Sequence, residues 1–127
     1  MPSKTTYPKE KIKILLLEGV HPVAIDLFKD HGYKSVEAIK SSLPETDLLR
    51  KINGAHLLGI RSKTQLTEQI FKAADKLLGV GAFCIGTNQI DLNAAIRSGV
   101  AVFNSPYSNT RSVAEMVIGL SISLMRR

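Results

Sequence analysis

Residues 12–32 read IKILLLEGVHPVAIDLFKDHG, and this stretch decides the fold class. The apolar run at residues 12–17 is short and rich in strand-forming side chains, which is typical of a parallel strand buried on both faces. Residues 22–30 then carry apolar side chains at helical spacing. Pro22 suits a first helical turn, and His31-Gly32 is a typical helix end. A buried strand followed closely by a helix is the repeating unit of α/β proteins.

The same alternation continues along the chain. It predicts strands at residues 35–38, 55–60, 77–80 and 100–103, and helices at 44–52, 67–74, 91–97 and 112–126. Right-handed crossovers then give a flavodoxin-like parallel sheet with helices on both faces. Residues 1–10, with two prolines among polar residues, are predicted to be a disordered lead-in. Ligands bind beyond the carboxyl ends of such strands, so the loops that follow the strands are the ones to inspect.

Composition narrows the function classes. The chain has 127 residues, 44% of them hydrophobic, which fits one domain with a real core. No apolar run is long enough to cross a membrane, and the single cysteine predicts a reducing compartment, so we expect a cytoplasmic protein without a membrane partner. The net charge of +6 attracts anions. A nucleic-acid partner rests on that charge alone and is not expected, because no aromatic RNA-binding pattern or zinc-finger spacing accompanies it.

The loop after the strand predicted at residues 55–60 carries the clearest candidate site. Arg61, Ser62, Lys63 and Thr64 place two cations and two hydroxyls at the ligand-binding edge. Arginine can bind a carboxylate or phosphate with two hydrogen bonds, and lysine adds a point charge. The alternative is an ordinary polar loop.

The glycine-bearing segment GVGAFCIGTN at residues 79–88 does not fit a dinucleotide-binding loop. Cys84 stands where the third glycine of the motif is needed, and no acidic residue follows at the required distance. We interpret it instead as a turn whose backbone N–H groups, around Ile85 and Gly86, face an anion. A tight turn without a ligand is the alternative.

The segment at residues 104–115 precedes a long helix. Ser112 and Glu115 have the spacing of a capping box, which would start the helix at Ser112. Asn109 can offer both a donor and an acceptor to a ligand lying between two domains, and Arg111 could pair with a ligand or with Glu115. The helix itself is apolar nearly all round, so we expect another chain, or more of the same chain, to cover it.

The remaining reactive side chains favour structural roles. Cys84 is interpreted as a buried small hydrophobic residue rather than a nucleophile, since no histidine is near it in sequence. His21, His31 and His56 have no metal-ligand spacing, and no metal site is predicted. For His21 we favour packing at the start of a helix over a ligand contact.

Three segments in order carry a specific family resemblance: GIRSKTQLT at residues 59–67, FCIGTNQIDL at 83–92 and VFNSPYSNTRSVAE at 102–115. Together they resemble the NAD-dependent D-2-hydroxyacid dehydrogenases, and within that family the bacterial and fungal enzymes that act on 3-phosphoglycerate. The opening LLEGVH at residues 16–21 also fits, so the resemblance runs from about residue 11 to residue 127.

The resemblance implies an oxidoreductase of the phosphorylated serine pathway, which oxidises the hydroxyl of 3-phosphoglycerate and passes hydride to NAD. It implies a flavodoxin-like substrate lobe with a Rossmann lobe inserted in it. Residues 61–63 match the family's substrate loop. Ile85 and Gly86 match backbone that receives the substrate carboxylate, with Ile85 near the nicotinamide, and Asn109 matches an asparagine that faces the cofactor.

The family's glycine-rich loop, acidic ribose partner, catalytic arginine and glutamate–histidine pair would all lie beyond residue 127. Hydride transfer needs a held cofactor and a base for the hydroxyl proton, so this polypeptide is expected to be inactive alone and to bind NAD negligibly. Residues 112–127 are expected to lead toward the absent NAD-binding domain of a homo-oligomeric enzyme. The alternative is a non-catalytic anion-binding or oligomerisation module of the same ancestry.

Overall fold

The computed structural model describes residues 7–126. Most of the predicted disordered lead-in, residues 1–6, lies outside the described residues. Lys9–Lys11, at the end of that segment, form a 3-10 turn rather than a disordered stretch. The Lys9 side chain lies over the Tyr33 ring and its amino group donates to the His31 carbonyl at 3.3 Å. This turn therefore packs against the helix end that follows the first strand.

Five strands form one parallel sheet, in the spatial order β2-β1-β3-β4-β5. This order is the doubly wound, flavodoxin-like arrangement, which confirms the predicted fold class. The strands are β1 (Lys13–Leu16), β2 (Ser35–Ala38), β3 (Leu57–Ile60), β4 (Gly79–Ala82) and β5 (Ala101–Asn104). The helices are α1 (Pro22–Asp30), α2 (Glu45–Ile52), α3 (Glu68–Ala73), α4 (Leu92–Arg97) and α5 (Thr110–Met125).

Two strands lie further along the chain than predicted. The strand expected at residues 77–80 is Gly79–Ala82, because the Leu77 N–H donates to the Ala74 carbonyl and so belongs to the turn that closes α3. The strand expected at residues 55–60 begins only at Leu57. Ala55 and Leu77 are buried apolar residues, so they extend the apolar run in the sequence although they lie outside the strands. An apolar run alone cannot separate these two states.

The main core lies on one face of the sheet, under α2, α3 and α4. Alternate strand residues such as Leu15 and Leu58 point into it, and the helices contribute Leu48, Ile70 and Ala94. All five side chains are at most 3% exposed. These helices connect the strands of the sheet. Their packing in the core therefore also fixes the positions of the strand ends that carry the candidate site.

The other face is covered by α1 only on one side. Ile14 and Leu16 of β1 pack there against Phe28 of α1. Over β3 and β4 the face carries Gly59, Gly79 and Gly81, and the Phe83 and Phe103 rings lie beside an open apolar hollow. Phe103 is 68% exposed. The described residues thus leave half of this face without a covering helix.

Helix α5 corrects two predictions. It begins at Thr110, with Asn109 as the residue before the first turn, so Ser112 is inside the helix and the capping box is wrong. Arg111 pairs with Glu115 at 2.7 Å, which is one of the two partners considered for it. The helix has no buried residue, although it is apolar on most sides. In the part of the chain described, no helix is long and apolar enough to span a bilayer.

Replacing Gly59 by alanine tests the close packing of β1, β3 and the loop after β4. An added Cβ would lie 2.5 Å from Leu16 Cδ2 and 3.0 Å from Phe83 Cε2. Since Leu16 is fully packed, we expect the free energy of unfolding to fall by about 1–3 kcal/mol, measured by urea denaturation.

The control is Gly119→Ala in α5, where an added Cβ meets nothing within 4 Å. Alanine is the better helix former, so this change is not expected to lower stability. Equal stability of the Gly59→Ala variant and the unaltered chain would contradict the packing described.

Candidate functional site

A polar hollow of about 480 Å³ opens at the carboxyl ends of β1, β2 and β3. The three strands are neighbours in the sheet, so the loops that follow them reach the same edge. Each of these loops supplies part of the lining, which consists of Glu18, Lys40, Ser41, Ser42, Arg61, Ser62 and Lys63. The predicted substrate loop at residues 61–63 is therefore one wall of a larger site.

Three cations, Lys40, Arg61 and Lys63, line this hollow together. Within residues 7–126, no acidic side chain forms an ion pair with any of them. Like charges gathered at one concave surface raise the local concentration of anions. The hydroxyls of Ser41, Ser42 and Ser62 line the same hollow and can add neutral donors. This arrangement suits a small, multiply charged acid.

Lys40, Ser41 and Ser42 were not singled out by the sequence reasoning. They follow β2, an edge strand with few apolar residues, and the loop itself contains no recognisable motif. The signal that could have found them is topological. In the order β2-β1-β3 the loop after β2 must lie beside the loops after β1 and β3.

Glu18 is the one acid that lines the hollow, and its carboxylate is turned to the protein backbone. The N–H groups of Lys63 and Thr64 donate to its two oxygens at 3.0 and 2.8 Å. Burial raises the pKa of Glu18, but these donors, the Arg61 N–H and the neighbouring Thr64 hydroxyl lower it by more, so the pKa lies below its ordinary value. The Thr64 hydroxyl is buried and makes no hydrogen bond of regular geometry itself. Glu18 is therefore charged at neutral pH.

The loop that carries Ile85 and Gly86 lies next to the Arg61 loop, and Gln89 joins the two. The buried Gln89 side chain donates from Nε2 to the Arg61 carbonyl at 2.8 Å and to the Gly86 carbonyl at 3.3 Å. The Cys84 thiol lies between the same two carbonyls, at 3.5 and 3.2 Å. The structure thus brings Arg61 and Gly86 into one network. Sequence reasoning missed Gln89, since a glutamine in a loop carries no pattern of its own.

Ile85 and Gly86 keep their backbone donors available. Both residues are exposed, and in the described chain neither N–H group donates to a protein acceptor. The Ile85 carbonyl is instead held by the Asn104 amide at 2.8 Å. A fixed carbonyl and a free N–H are what the predicted anion-facing turn requires.

Asn109 makes no hydrogen bond to these two loops among the described residues. It precedes α5, is exposed, and its carbonyl accepts from the Val113 N–H at 3.1 Å. Among residues 7–126, no hydrogen bond joins it to the Arg61 loop or to Gly86. The loop before it is anchored, because the Ser105 N–H donates to the Cys84 carbonyl at 3.0 Å. The role predicted for Asn109 stays a prediction.

The histidines and the cysteine occupy separate places. His21 caps α1 by accepting from the Val23 N–H at 3.3 Å, and His56 precedes β3, where it accepts from the Lys13 N–H at 3.1 Å. Cys84 is half-buried: it packs against the main apolar core, as predicted, and its thiol also lies in the polar network around Gln89. Within the described residues no three His, Cys, Asp or Glu side chains are grouped as metal ligands.

A family model decides the relationship of this chain. The model for the D-isomer specific 2-hydroxyacid dehydrogenase, catalytic domain, matches residues 14–119. The chain belongs to this family. The match covers the whole sheet, the loops at its carboxyl edge and the first part of α5.

Two curated members of the 2-hydroxyacid dehydrogenase family are especially similar. The D-3-phosphoglycerate dehydrogenase of Dictyostelium discoideum is 53% identical over 127 residues, which is 100% of this chain and 31% of that protein. D-3-phosphoglycerate dehydrogenase 2 of Saccharomyces cerevisiae is 60% identical over 91% of this chain and 24% of its own length. The chain thus spans less than a third of these relatives.

A solved member has the same fold. The NAD-bound 3-phosphoglycerate dehydrogenase of Entamoeba histolytica superposes with a TM-score of 0.73, covering 87% of this chain and 38% of that one. At 24% identity this likeness carries the fold alone.

The described residues of this 2-hydroxyacid dehydrogenase domain do not fit the pyrophosphate of a dinucleotide. Such a group is held by a glycine-rich turn that leads directly into a helix N-terminus. Here Gly79 is the first residue of β4 and Gly81 lies inside the strand. Gly86 lies six positions before the start of α4 at Leu92. The glycine-bearing segment therefore cannot perform that role.

Replacing Gln89 by alanine tests the network that joins the two loops. The change leaves the Arg61 and Gly86 carbonyls without their amide donor, and a buried polar group that loses its partner costs about 1–3 kcal/mol. We expect the free energy of unfolding, measured by urea denaturation, to fall by that amount. Gln69→Ala, on the exposed side of α3, is the matched control and should change stability by less than about 0.5 kcal/mol. Equal effects of the two changes would show that Gln89 is not a structural link.

Proposed function

We propose that this chain is the substrate-binding part of an NAD-dependent D-3-phosphoglycerate dehydrogenase. The enzyme would oxidise 3-phospho-D-glycerate to 3-phosphohydroxypyruvate, the first step of phosphorylated serine biosynthesis. One observation carries the proposal: Lys40, Arg61 and Lys63 line one hollow and have no acidic partners among the described residues. The identity of 53–60% to two enzymes of that name supports the same substrate.

The substrate has two anionic ends, and the site offers two kinds of donor. Arg61 can bind an oxyanion with two parallel hydrogen bonds, while Lys40, Ser62 and Lys63 add charge and hydroxyl donors around it. The N–H groups at Ile85 and Gly86 suit a carboxylate, since adjacent backbone donors form an anion-binding concavity. The hydrogen bonds from Gln89 to the Arg61 and Gly86 carbonyls support this arrangement, because they tie the two loops together. One substrate molecule would therefore be gripped at both ends.

NAD would accept the hydride from the substrate carbon. Ile85, whose side chain is 48% exposed, is proposed as an apolar contact near the nicotinamide, and Asn109 as a polar contact facing the cofactor. The residues that hold the pyrophosphate and ribose, and the base that removes the hydroxyl proton, are proposed to belong to a longer form of the protein. Residues 7–126 supply binding and orientation.

Helix α5 is proposed to lead toward the NAD-binding domain. Its apolar side chains, among them Met116, Ile118 and Leu124, are each more than 60% exposed. Contiguous apolar surface of this kind marks contact with other protein. The same surface supports homo-oligomerisation, which stays a prediction.

Binding of 3-phosphoglycerate to the chain, measured by isothermal titration calorimetry, tests the proposed site. Hydrogen bonds to charged groups are worth about 1.5–3 kcal/mol. We therefore expect Arg61→Gln and Lys63→Gln each to raise the Kd roughly tenfold to a hundredfold. D-glycerate, which lacks the phosphate, should bind more weakly than 3-phosphoglycerate.

The control for charge is Lys76→Gln, which removes one exposed cation away from the hollow. It should leave the Kd within about twofold, because solvent and salt screen distant surface charges. If Lys76→Gln weakens binding as much as Lys63→Gln, binding depends only on net charge and the proposed site is wrong.

The purified chain mixed with NAD and 3-phosphoglycerate is expected to form no NADH, followed by its absorbance. The glycine-bearing segment does not fit a dinucleotide pyrophosphate, and both oxygens of Glu18, the one acid that lines the hollow, are engaged by backbone N–H groups. Formation of NADH by the chain alone would contradict the proposal that the catalytic and NAD-binding residues belong to a longer form of the protein.

A further inference from the structure

Glu18 poses an electrostatic problem for an anion-binding site. It lines the same hollow as the three cations, and a carboxylate there repels the anionic ligand that they attract. It is nevertheless only 8% exposed. Both of its oxygens already accept N–H groups, from Lys63 at 3.0 Å and from Thr64 at 2.8 Å. Its position therefore needs an explanation other than contact with the ligand.

The Glu18 backbone is strained and tied to a second wall of the hollow. Its φ of 61° is in the left-handed region, which non-glycine residues seldom adopt unless their surroundings enforce it. The Glu18 N–H donates to the Ser41 carbonyl, and the Gly19 N–H donates to the Ile39 carbonyl, both at 3.1 Å. An added Cβ at Gly19 would lie 3.4 Å from the Lys40 carbonyl oxygen. The loop after β1 is thus held closely against the segment that carries Lys40.

We propose that Glu18 is a positioning residue, which holds the Lys40 segment and the Arg61–Lys63 loop in one arrangement so that their cations face a shared hollow. Its backbone N–H donates to the Ser41 carbonyl in the Lys40 segment, and its carboxylate accepts from the Lys63 and Thr64 N–H groups in the other loop. It acts through those two walls and does not touch the substrate. The consequence for substrate affinity rests on the proposed function, whereas the effect on the loop does not.

A purely electrostatic effect and a positioning role predict opposite changes in the Kd when Glu18 is replaced by glutamine. Glu18→Gln removes a negative charge from the hollow, so electrostatics alone would tighten the binding of an anion. The same change replaces one carboxylate oxygen with an NH2 group, which cannot accept the second backbone N–H. A positioning role therefore predicts weaker binding of the anion. The direction of the change in Kd separates the two effects.

The experiment combines amide hydrogen exchange with calorimetric binding of 3-phosphoglycerate to the unaltered chain and to Glu18→Gln. We expect exchange to accelerate about tenfold or more at one or both of the Lys63 and Thr64 amides, since the glutamine side chain keeps only one oxygen that can accept from them. We expect the Kd for 3-phosphoglycerate to rise at least severalfold. Slow exchange at both amides in the variant, or tighter binding, would overturn the proposal.

Glu37→Gln is the matched control. Glu37 is an exposed glutamate of β2 that pairs with Lys51, and its substitution removes one negative charge without touching the hollow. It should leave exchange at Lys63 and Thr64 and the Kd unchanged. An equal response to both substitutions would assign the effect to net charge and reject a specific role for Glu18.

A titration of the unaltered chain keeps the test decisive if Glu18→Gln fails to fold. The low pKa of Glu18 means that its carboxylate contributes at neutral pH and is lost only as pH falls through a value below the ordinary one. We expect the Lys63 and Thr64 amide resonances to follow the Glu18 carboxyl resonance with a common midpoint in that acidic range. Amides that do not respond to that titration would reject the proposal.

Failure of this inference is distinguishable from failure of the proposed function. If 3-phosphoglycerate does not bind the unaltered chain, the proposed substrate is wrong, while amide exchange and the titration still decide whether Glu18 holds the loop. If the substrate binds but the two amides ignore Glu18, the substrate stands and the positioning role falls.

Discussion

The parallel pairing of β1 with β3 is the constraint on which the rest of the site depends. The ladder sets Leu16 opposite Gly59, and one residue later the Leu17 N–H still donates to the Gly59 carbonyl at 2.8 Å. Both strands therefore end at the same level, and Glu18 meets the backbone of residues 63–64 directly. With β2 on the other side of β1, three loops are brought to one edge. A slip of one residue would turn every buried side chain of β1 to the opposite face, so core packing protects the register.

An anion site built from three cations must be organised before its ligand arrives. The cations repel one another, and flexible lysine and arginine side chains give no fixed geometry by themselves. In this chain the geometry comes from the backbone: Glu18 holds residues 63–64, and Gln89 holds the Arg61 carbonyl against Gly86. The cations have no acidic partners among the described residues, whereas Glu18 and Gln89 make hydrogen bonds within the protein. This separation of roles explains how an acid can line a hollow suited to an anion.

The two faces of the sheet differ in how completely they are covered. One face is closed by α2, α3 and α4, whereas glycines and two exposed phenylalanine rings form the other face beyond α1. Together with α5, this gives the described residues a large apolar surface beside a well-packed core. Exposed apolar surface of this kind is typical of contact with other protein.

The sequence by itself determined the alternation of strands and helices, the flavodoxin-like class and the Arg61–Lys63 loop, because hydrophobic period, glycines and local charge are visible along the chain. It could not separate Leu77 from a strand or start α5 correctly, since burial and a serine–glutamate spacing each suit more than one local structure. Only the tertiary structure decided that Lys40 shares the hollow, and that Glu18 and Gln89 make hydrogen bonds to the backbone of the neighbouring loops. Glu18 and Thr64 are 46 positions apart and Gln89 and Arg61 are 28 apart, so no local pattern encodes these hydrogen bonds or the order of the strands.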